Sequence, residues 1–181
     1  PVLADMENGP VGCKSFMAQL ASMLLDRQAA CGKPVALVSM DNCSHNGDKL
    51  YAAVNEFAKE WENRGVCKPG FLAYVNNPSK VSFPWSMIDK ITPRPDAKIE
   101  KILKDDGIEQ LEPVITSKNT YVAPFVNAEE CEYLVIEDAF PNGRPELEKG
   151  GLMFTERETV DKVEKMKVCT CLNPLHTFLA V

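Results

Sequence analysis

One short apolar run, flanked by two amphipathic segments, constrains the fold of this chain more than any other feature. Residues 35–40 are apolar in the manner of a strand that a parallel sheet buries on both faces. Before this run, apolar residues recur at helical spacing from Phe16 and stop at Gly32 and Pro34. After it, apolar residues follow at i, i+4, i+7 and i+11, namely Leu50, Val54, Phe57 and Trp61. The order helix, strand, helix predicts an α/β fold with residues 35–40 as a central strand.

Shorter strands are predicted farther along the chain. Residues 71–75, 120–126 and 132–136 are rich in residues that favour strands. Residues 83–95 contain too many prolines for a regular element, and residues 141–143 have the composition of a turn. Strands that alternate with helices in this way favour an open α/β sheet.

Two further helices are predicted from their capping residues. Asp96 is placed to cap a short helix that ends at Gly107. Thr155 and Glu158 have the spacing of a capping box, and an amphipathic segment with Val160 and Val163 follows.

Composition excludes two classes of partner. The chain has 20 basic and 26 acidic residues among 181, a formal charge of −6, and no basic stripe of the kind that binds nucleic acid. No segment approaches the roughly 20 apolar residues that a membrane-spanning helix needs. We therefore expect neither a nucleic-acid-binding nor a membrane-spanning protein.

The cysteines predict reduced thiols in a cytoplasmic protein. The chain has seven of them, an odd number, and no signal-like segment at its start. The close pair Cys169 and Cys171, with His176 five residues on, supplies at most three zinc ligands at poor spacing. Buried structural thiols are the better interpretation. The chain begins without methionine and closes on an apolar run, so we also expect it to be an internal segment of a longer protein.

Polar residues follow two of the predicted strands, where open α/β sheets bind ligands. The first group is the turn that begins at Asp41. Within it, Asn42 is a candidate neutral donor to a carbonyl or alkoxide oxygen, and Asn46 is better interpreted as a cap of the next helix. Cys43 and His45 are unlike a nucleophile and its base, because residues two apart on a turn rarely point together. The second group is the loop after Ile136.

A second candidate region lies near the end of the chain. Asn173 followed by Pro174 predicts the N-cap and first residue of a new helix, with His176 in its first turn. Taken alone, a single histidine there is more often held by packing or a hydrogen bond than used in catalysis.

Four ordered blocks of this sequence resemble the mannitol dehydrogenase family of polyol-specific long-chain dehydrogenases. The blocks are VSMDNxxxNG at 38–47, FPxxMIDKITP at 83–93, IEDxFxxGRP at 136–145, and MK at 166–167 followed by LNxxH at 172–176. The family includes mannitol 2-dehydrogenase and the fructuronate and tagaturonate reductases. The resemblance implies that residues 1–152 are the distal part of a Rossmann-like NAD(P)-binding domain, a doubly wound sheet. It implies that residues 153–181 begin a helical substrate domain.

The resemblance also implies a reaction and the residues for it. The reaction is the metal-free interconversion of a polyol or sugar acid and its keto form, with NAD or NADP as cofactor. Lys167 matches the family's lysine base, which must be neutral to accept a proton. Asn42 and Asn173 match the amides that hold the reacting oxygen. His176 matches the histidine that orients substrate hydroxyls, and Asp89 matches the acidic residue of the second block.

Two features depart from the family pattern or stay open. Five residues separate Lys167 from Asn173 where the family has four, and one extra helical residue turns a side chain by about 100°. A break near Asn173 or a π-bulge would absorb it, and Lys165 is the alternative base. Arg144 either meets a substrate carboxylate or has a structural role in its turn.

A rival class of function stays open at this point. The chain contains no G-x-G, so the family's phosphate-binding loop lies outside it, and we expect the isolated segment neither to bind NAD tightly nor to turn over substrate. The alternative to an enzyme is a non-catalytic carbohydrate-binding or structural module that retains the scaffold.

Overall fold

The computed structural model describes residues 1–89, 92–128 and 134–180, and it divides into two compact units. The first unit comprises Pro1–Ile88 and Tyr133–Val181, and the second comprises Asp89–Glu132. No helix in the described ranges is long and apolar enough to cross a bilayer.

The first unit is built mainly from helices. In chain order they are α1 (Val2–Asn8), α2 (Phe16–Ala30), α3 (Asn46–Asn63), α4 (Phe71–Val75), a 3₁₀ turn (Leu147–Gly150), α6 (Arg157–Glu164), a π-helix (Lys165–Leu172) and α7 (Asn173–Ala180). The second unit contributes α5 (Ala97–Asp105). The last three helical segments of the first unit follow one another without a gap, so they form one continuous helical rod.

Short strands join these helices into small sheets. β1 (Val35–Ala36) pairs in parallel with β2 (Val81–Ser82). β6 (Val135–Glu137) lies between β3 (Ser86–Met87), which is antiparallel to it, and β7 (Met153–Thr155), which is parallel. In the second unit β4 (Val114–Ile115) and β5 (Tyr121–Val122) form an antiparallel hairpin. β1 and β2 run the same way, so their carboxyl ends meet at one edge, as an α/β fold requires.

Helices α2, α3 and α4 enclose the main hydrophobic core. Its largest buried side chains include Phe57, Trp61, Phe71, Val54 and Val75. The helix α2 contributes small residues, Ala18 and Ala21, which allow it to approach α3 closely. Phe16, the first residue of the apolar pattern that predicted this helix, is 71% exposed, and Met23 of the same helix is 68% exposed.

A buried carboxylate joins α1 to this core. Asp5 is 6% exposed and accepts hydrogen bonds from the amides of Lys14, at 3.1 Å, and Ser15, at 2.7 Å. Hydrogen bonds from Ser15, followed by that from Lys14, hold the pKa of this carboxyl below its usual value near 3.8. Asp5 therefore stabilises the fold above that value and loses the contribution as the pH falls through its lowered pKa.

The predicted short strand at 71–75 is wrong, because these residues form α4. Gly70 begins the helix from the left-handed region, at φ 99°, where a residue with a side chain is strained. Phe71, Tyr74 and Val75 then lie on one helical face and are buried in the core. A five-residue apolar run fits both periodicities, and tertiary packing selects the helix.

The central strand is shorter and less buried than predicted. β1 covers only Val35–Ala36 of the expected 35–40, and residues 35–39 are half-buried. Within the described ranges β1 has one neighbour, β2, so its other edge carries no strand. The predicted strands at 120–126 and 132–136 shrink to β5 and β6, and residues 132–133 lie outside the described residues.

Of the two capping predictions, one is confirmed and one is wrong. Asp96 caps α5 as expected, and its Oδ1 accepts a hydrogen bond from the Lys98 amide at 2.8 Å. The capping box at Thr155 is wrong, because Thr155 belongs to β7 and Glu156 occupies the N-cap without a side-chain hydrogen bond. Strand pairing takes the residue that the capping pattern had assigned to the helix.

The expectation of buried thiols is wrong for the described cysteines, of which Cys13, Cys43 and Cys67 are half-buried and the others exposed. Burial raises the pKa of the Cys13 and Cys67 thiols, which keeps them protonated and inert. Cys31, Cys169 and Cys171 are exposed, so the prediction of burial for the pair near the end of the chain is wrong. Cys131 lies outside the described residues.

Candidate active site

The buried side chain of Asn46 holds the loop after β1 by hydrogen bonds. This side chain is 2% exposed, and its Nδ2 lies 3.0 Å from the Asp41 carbonyl and 2.9 Å from Ser86 Oγ, while its Oδ1 accepts the Ser86 amide at 3.1 Å. The predicted role as a helix cap is therefore wrong, since His45 is the N-cap of α3. Asn46 instead ties the loop to β3.

Gly47 brings the start of α3 against the segment before β3. A Cβ on this residue would lie 2.4 Å from the Phe83 carbonyl oxygen and 2.7 Å from Cδ1 of Trp85. Because one of these contacts is to backbone, glycine is required for the close approach. The Asn-Gly pair that ends the first sequence block thus sets the position of the whole loop.

The same loop contacts the long helix near the end of the chain. The Ser44 hydroxyl donates to Glu164 Oε1, and His45 Nε2 lies 2.9 Å from Asp161 Oδ1. Asp161 and Glu164 are three residues apart on α6 and so share one face. The loop that carries Asn42 is therefore docked on the helix that leads directly to Lys167.

Asn42 and Lys167 occupy neighbouring elements of this arrangement. Asn42 is exposed, beyond the carboxyl end of β1 and two residues before Ser44. Lys167 is half-buried and follows Glu164 by three residues, which is less than one helical turn. The predicted oxygen-holding amide and the predicted base thus lie on two segments that the structure brings together.

The segment between Lys167 and Asn173 belongs to a π-helix. It spans Lys165–Leu172, and within it Thr170 Oγ1 donates to the Lys165 carbonyl at 2.9 Å, five residues back. The sequence had offered a π-bulge or a break near Asn173 as ways to accommodate the extra residue. The structure has a π-helix here, and its role in accommodating that residue stays a prediction. Asn173 has helical angles (φ −63°, ψ −43°), so its predicted role as the N-cap of a separate helix is wrong.

Lys165, the alternative base, is engaged in an ion pair. Its Nζ lies 2.5 Å from Asp161 Oδ2. The hydrogen bond to Asp161 and the charge of that carboxylate raise the pKa of Lys165. In turn, the hydrogen bonds from Lys165 and then His45 lower the pKa of Asp161. An amine held in its charged form cannot accept a proton, so Lys165 in this ion pair is poorly suited to act as the base, and the assignment of Lys167 stays a prediction.

Two predicted site residues are placed only by their position in the chain. His176 lies in α7, one turn beyond Asn173, and its side chain is outside the described part of the structure. Asp89 is half-buried at the start of the second unit. Their roles stay predictions.

Arg144 has partners on every side of its guanidinium. Nε and Nη2 donate to the two carboxylate oxygens of Asp138 at 2.8 and 3.0 Å, and Nη1 donates to Glu148 Oε2 at 2.6 Å. The guanidinium carbon lies 3.5 Å from the centre of the Phe154 ring. These bonds lower the pKa of Asp138 and raise that of Arg144. Of the two roles that the sequence left open for Arg144, this arrangement fits the structural role in its turn. Contact with a substrate carboxylate stays a prediction.

Sequence reasoning missed a polar cluster around Trp85. The Trp85 indole nitrogen donates to Asp48 Oδ1 at 2.9 Å, and its ring stacks on His45 with centroids 4.1 Å apart. Glu137 accepts the Trp85 amide at 3.0 Å and Arg157 Nε at 3.0 Å. A cleft of about 850 Å³ opens beside Glu137 and Arg157. The only signal in the sequence was that Trp85 and Glu137 lie inside two of the four blocks.

Comparisons with known proteins show which sequences and structures this chain resembles. Residues 2–149 match the mannitol dehydrogenase Rossmann domain family. A D-mannonate oxidoreductase from Thermotoga maritima is 50% identical over 182 residues, which cover 99% of this chain and 33% of that protein. The chain thus spans about a third of the length of this curated relative.

Two solved structures share the fold. A substrate-free D-sorbitol dehydrogenase superposes with a TM-score of 0.67 at 29% identity, covering 92% of this chain and 30% of that one. A Pseudomonas fluorescens mannitol 2-dehydrogenase in a ternary complex with NAD and D-mannitol gives 0.63 at 29% identity, covering 92% and 29%. The expected Rossmann-like α/β fold is confirmed.

Proposed function

This chain belongs to the mannitol dehydrogenase family of oxidoreductases, and from that premise we propose that it is part of an NAD(P)-dependent polyol or sugar-acid dehydrogenase. The reaction interconverts a secondary alcohol and a ketone by hydride transfer without a metal. Residues 1–152 form the distal part of the cofactor domain, and residues 153–181 begin the substrate domain.

The favoured substrate pair is D-mannonate and its keto form, fructuronate. The support is the identity to the Thermotoga maritima D-mannonate oxidoreductase, 50%, against 31% to a mannitol 2-dehydrogenase from Pyrenophora tritici-repentis.

The residues of this chain fit the oxygen-handling half of the site rather than the phosphate-binding half. The chain has no G-x-G loop to cradle a pyrophosphate. It does have the Asn42 amide beyond the carboxyl end of β1 and the Lys167 amine on the helical segment that follows α6, to which the Asn42 loop is docked. A bound nicotinamide cofactor would supply the hydride acceptor for the alcohol carbon. This chain supplies the base that accepts the hydroxyl proton and the amide groups that donate to the reacting oxygen.

In the proposed mechanism the neutral amine of Lys167 accepts the hydroxyl proton while the C–H bonding pair departs as hydride and the C=O bond forms. Amide N–H groups of Asn42 and Asn173 donate to the oxygen as negative charge develops on it. His176 orients the neighbouring hydroxyls, and Asp89 either relays the proton or helps to organise the site. In reduction each step runs in reverse.

The observation that carries this proposal is the docking of the Asn42 loop on α6. Ser44 and His45 each bond to that helix, and Lys167 lies less than one turn beyond it. A donor and a base must be held within a few ångströms of one oxygen atom, and two separate chain segments achieve this only if they are fastened together.

The first test measures which substrate the full-length protein that carries this chain reduces. We expect reduction of fructuronate with NADH or NADPH in preference to tagaturonate and fructose. The loss of NAD(P)H absorbance measures the rate with each substrate. Preference for fructose would move the assignment to a polyol dehydrogenase. Absence of turnover with all three would favour the non-catalytic alternative.

The second test replaces the proposed base in the same protein. Lys167→Ala should lower kcat by about 10²- to 10⁴-fold, since general-base catalysis contributes on that scale, and should leave cofactor affinity nearly intact. Lys162→Ala is the matched control, because Lys162 is an exposed lysine on α6. Equal effects of the two substitutions would exclude Lys167 as the base.

A further inference from the structure

His45 makes more specific contacts than a surface turn residue needs. Its side chain is 46% exposed, its ring stacks at 20° on the buried ring of Trp85, and its Nε2 reaches Asp161 at 2.9 Å. Its backbone is in the left-handed region, at φ 53° and ψ 44°. For a residue other than glycine, asparagine or aspartate that conformation is strained, so surrounding contacts must maintain it.

The protonation of this contact follows from Asp161. Lys165 and His45 hold the pKa of Asp161 below its usual value, so at neutral pH it is a carboxylate and can only accept hydrogen bonds. His45 therefore carries a proton on Nε2 and donates it to Asp161 Oδ1. The other oxygen, Oδ2, accepts from Lys165 at 2.5 Å.

These contacts connect the two halves of the proposed site. On one side His45 closes the loop 41–45 that carries Asn42, and on the other Asp161 lies on α6, six residues before Lys167. Trp85, buried below the loop, gives the imidazole a fixed surface to lie on. With the stack or the hydrogen bond removed, the loop would still be held to α6 by the Ser44–Glu164 hydrogen bond and at its start by Asn46, but by one contact fewer, so it would move more.

We infer that His45 is a positioning residue, and that its stack on Trp85 and hydrogen bond to Asp161 fix the Asn42 loop against the helix that carries Lys167. The inference rests on the proposed function for its catalytic consequence. It does not make His45 an acid or a base, since its donor nitrogen is occupied by Asp161 and its ring face by Trp85.

The variants are chosen to separate positioning from folding. His45→Asn keeps a residue that tolerates the left-handed backbone and loses the stack. Asp161→Ala removes the acceptor on the helix. Glu60→Gln is the matched control, since it weakens a 3.1 Å ion pair with Arg64 on α3, away from the loop.

The catalytic readout uses the full-length protein and its preferred keto substrate. His45→Asn and Asp161→Ala should each lower kcat by about 10- to 100-fold with little change in KM, since misplacement of a catalytic group costs on that scale. The double variant should be no worse than the poorer single variant. In an Asn42→Ala background the His45→Asn effect should vanish, which a purely destabilising substitution would not show. Additive effects with Asn42→Ala would overturn the inference.

A second readout does not depend on turnover. Cys43 is half-buried in the loop, while Cys31 is exposed and outside it, so the rate of Cys43 alkylation relative to Cys31 reports loop opening. We expect that ratio to rise several-fold in His45→Asn and in Asp161→Ala, and to stay constant in Glu60→Gln. If the wild-type protein reduces none of the keto substrates, the proposed function fails and this ratio alone decides. An unchanged ratio would overturn the positioning role.

Discussion

Gly47 is the residue at which we expect the smallest change to have the largest structural effect. Replacing glycine by alanine inside a helix ordinarily stabilises it by up to about 1 kcal/mol. At Gly47 the added methyl would lie 2.4 Å from a backbone oxygen, and overpacking of that kind costs about 1–3 kcal/mol. We predict that Gly47→Ala lowers the urea midpoint of the full-length protein and weakens turnover as the loop shifts.

Gly150→Ala is the control for that substitution. Gly150 has no positive φ and nothing within 4 Å of its would-be Cβ, so alanine there should be tolerated. If both variants unfold at the wild-type urea concentration, the close approach of α3 to residues 83–85 is not a constraint on this fold.

At the same scale the sequence identified residue types better than residue environments. Asn42, Asn46 and Lys167 were singled out by their chemistry and their place after a strand or near a helix. The sequence assigned Asn46 to a cap, because capping is local, whereas its actual partner, Ser86, lies 40 residues away. His45 was excluded only as a partner of Cys43, and its contacts with Trp85 and Asp161 are equally non-local.

Among the elements, the π-helix offers a direct test of how the chain accommodates its extra residue. Deleting Cys171 leaves four residues between Lys167 and Asn173, which a regular α-helix can span without changing the elements on either side. We predict that the deletion variant keeps its helix content by circular dichroism and retains turnover within about tenfold, because Lys167 and Asn173 keep their relative direction.

The matched deletion lies in α3. Removing Glu56 from this regular helix would rotate every later residue by about 100° and displace Phe57 and Trp61 from the core. That variant should fail to fold. If the Cys171 deletion is equally damaging, the π-helix is not the site of an inserted residue.

Elements with strong periodicity and clear end signals were predicted well, and short ones were not. The predicted helices α2, α3 and α5 are present. Gly32 follows the end of α2, and Asp96 caps the start of α5. Residues 71–75 became a helix, and residues 35–40 yielded only a two-residue strand. In both cases the outcome depends on which neighbours pack against a short apolar run, and those neighbours are distant in sequence.

For the whole molecule, the share of the relatives that the chain spans sets what it can do alone. It covers 33% of the Thermotoga maritima D-mannonate oxidoreductase and contains no G-x-G. We predict that the isolated 181 residues bind NADH more weakly than micromolar, since the pyrophosphate has no loop to receive it. Isothermal calorimetry would measure this, with circular dichroism as the control for folding. Micromolar affinity would contradict the prediction.

The ion pairs of Arg144 have a consequence for how substrates are told apart. The guanidinium of Arg144 already donates to the carboxylates of Asp138 and Glu148. A sugar-acid carboxylate could bind there only by displacing one of them. Binding would then be an exchange of one anion for another of the same chemistry. The free energy gained would be the difference between two similar ion pairs, so Arg144 in this arrangement would discriminate little between an acid and a neutral polyol.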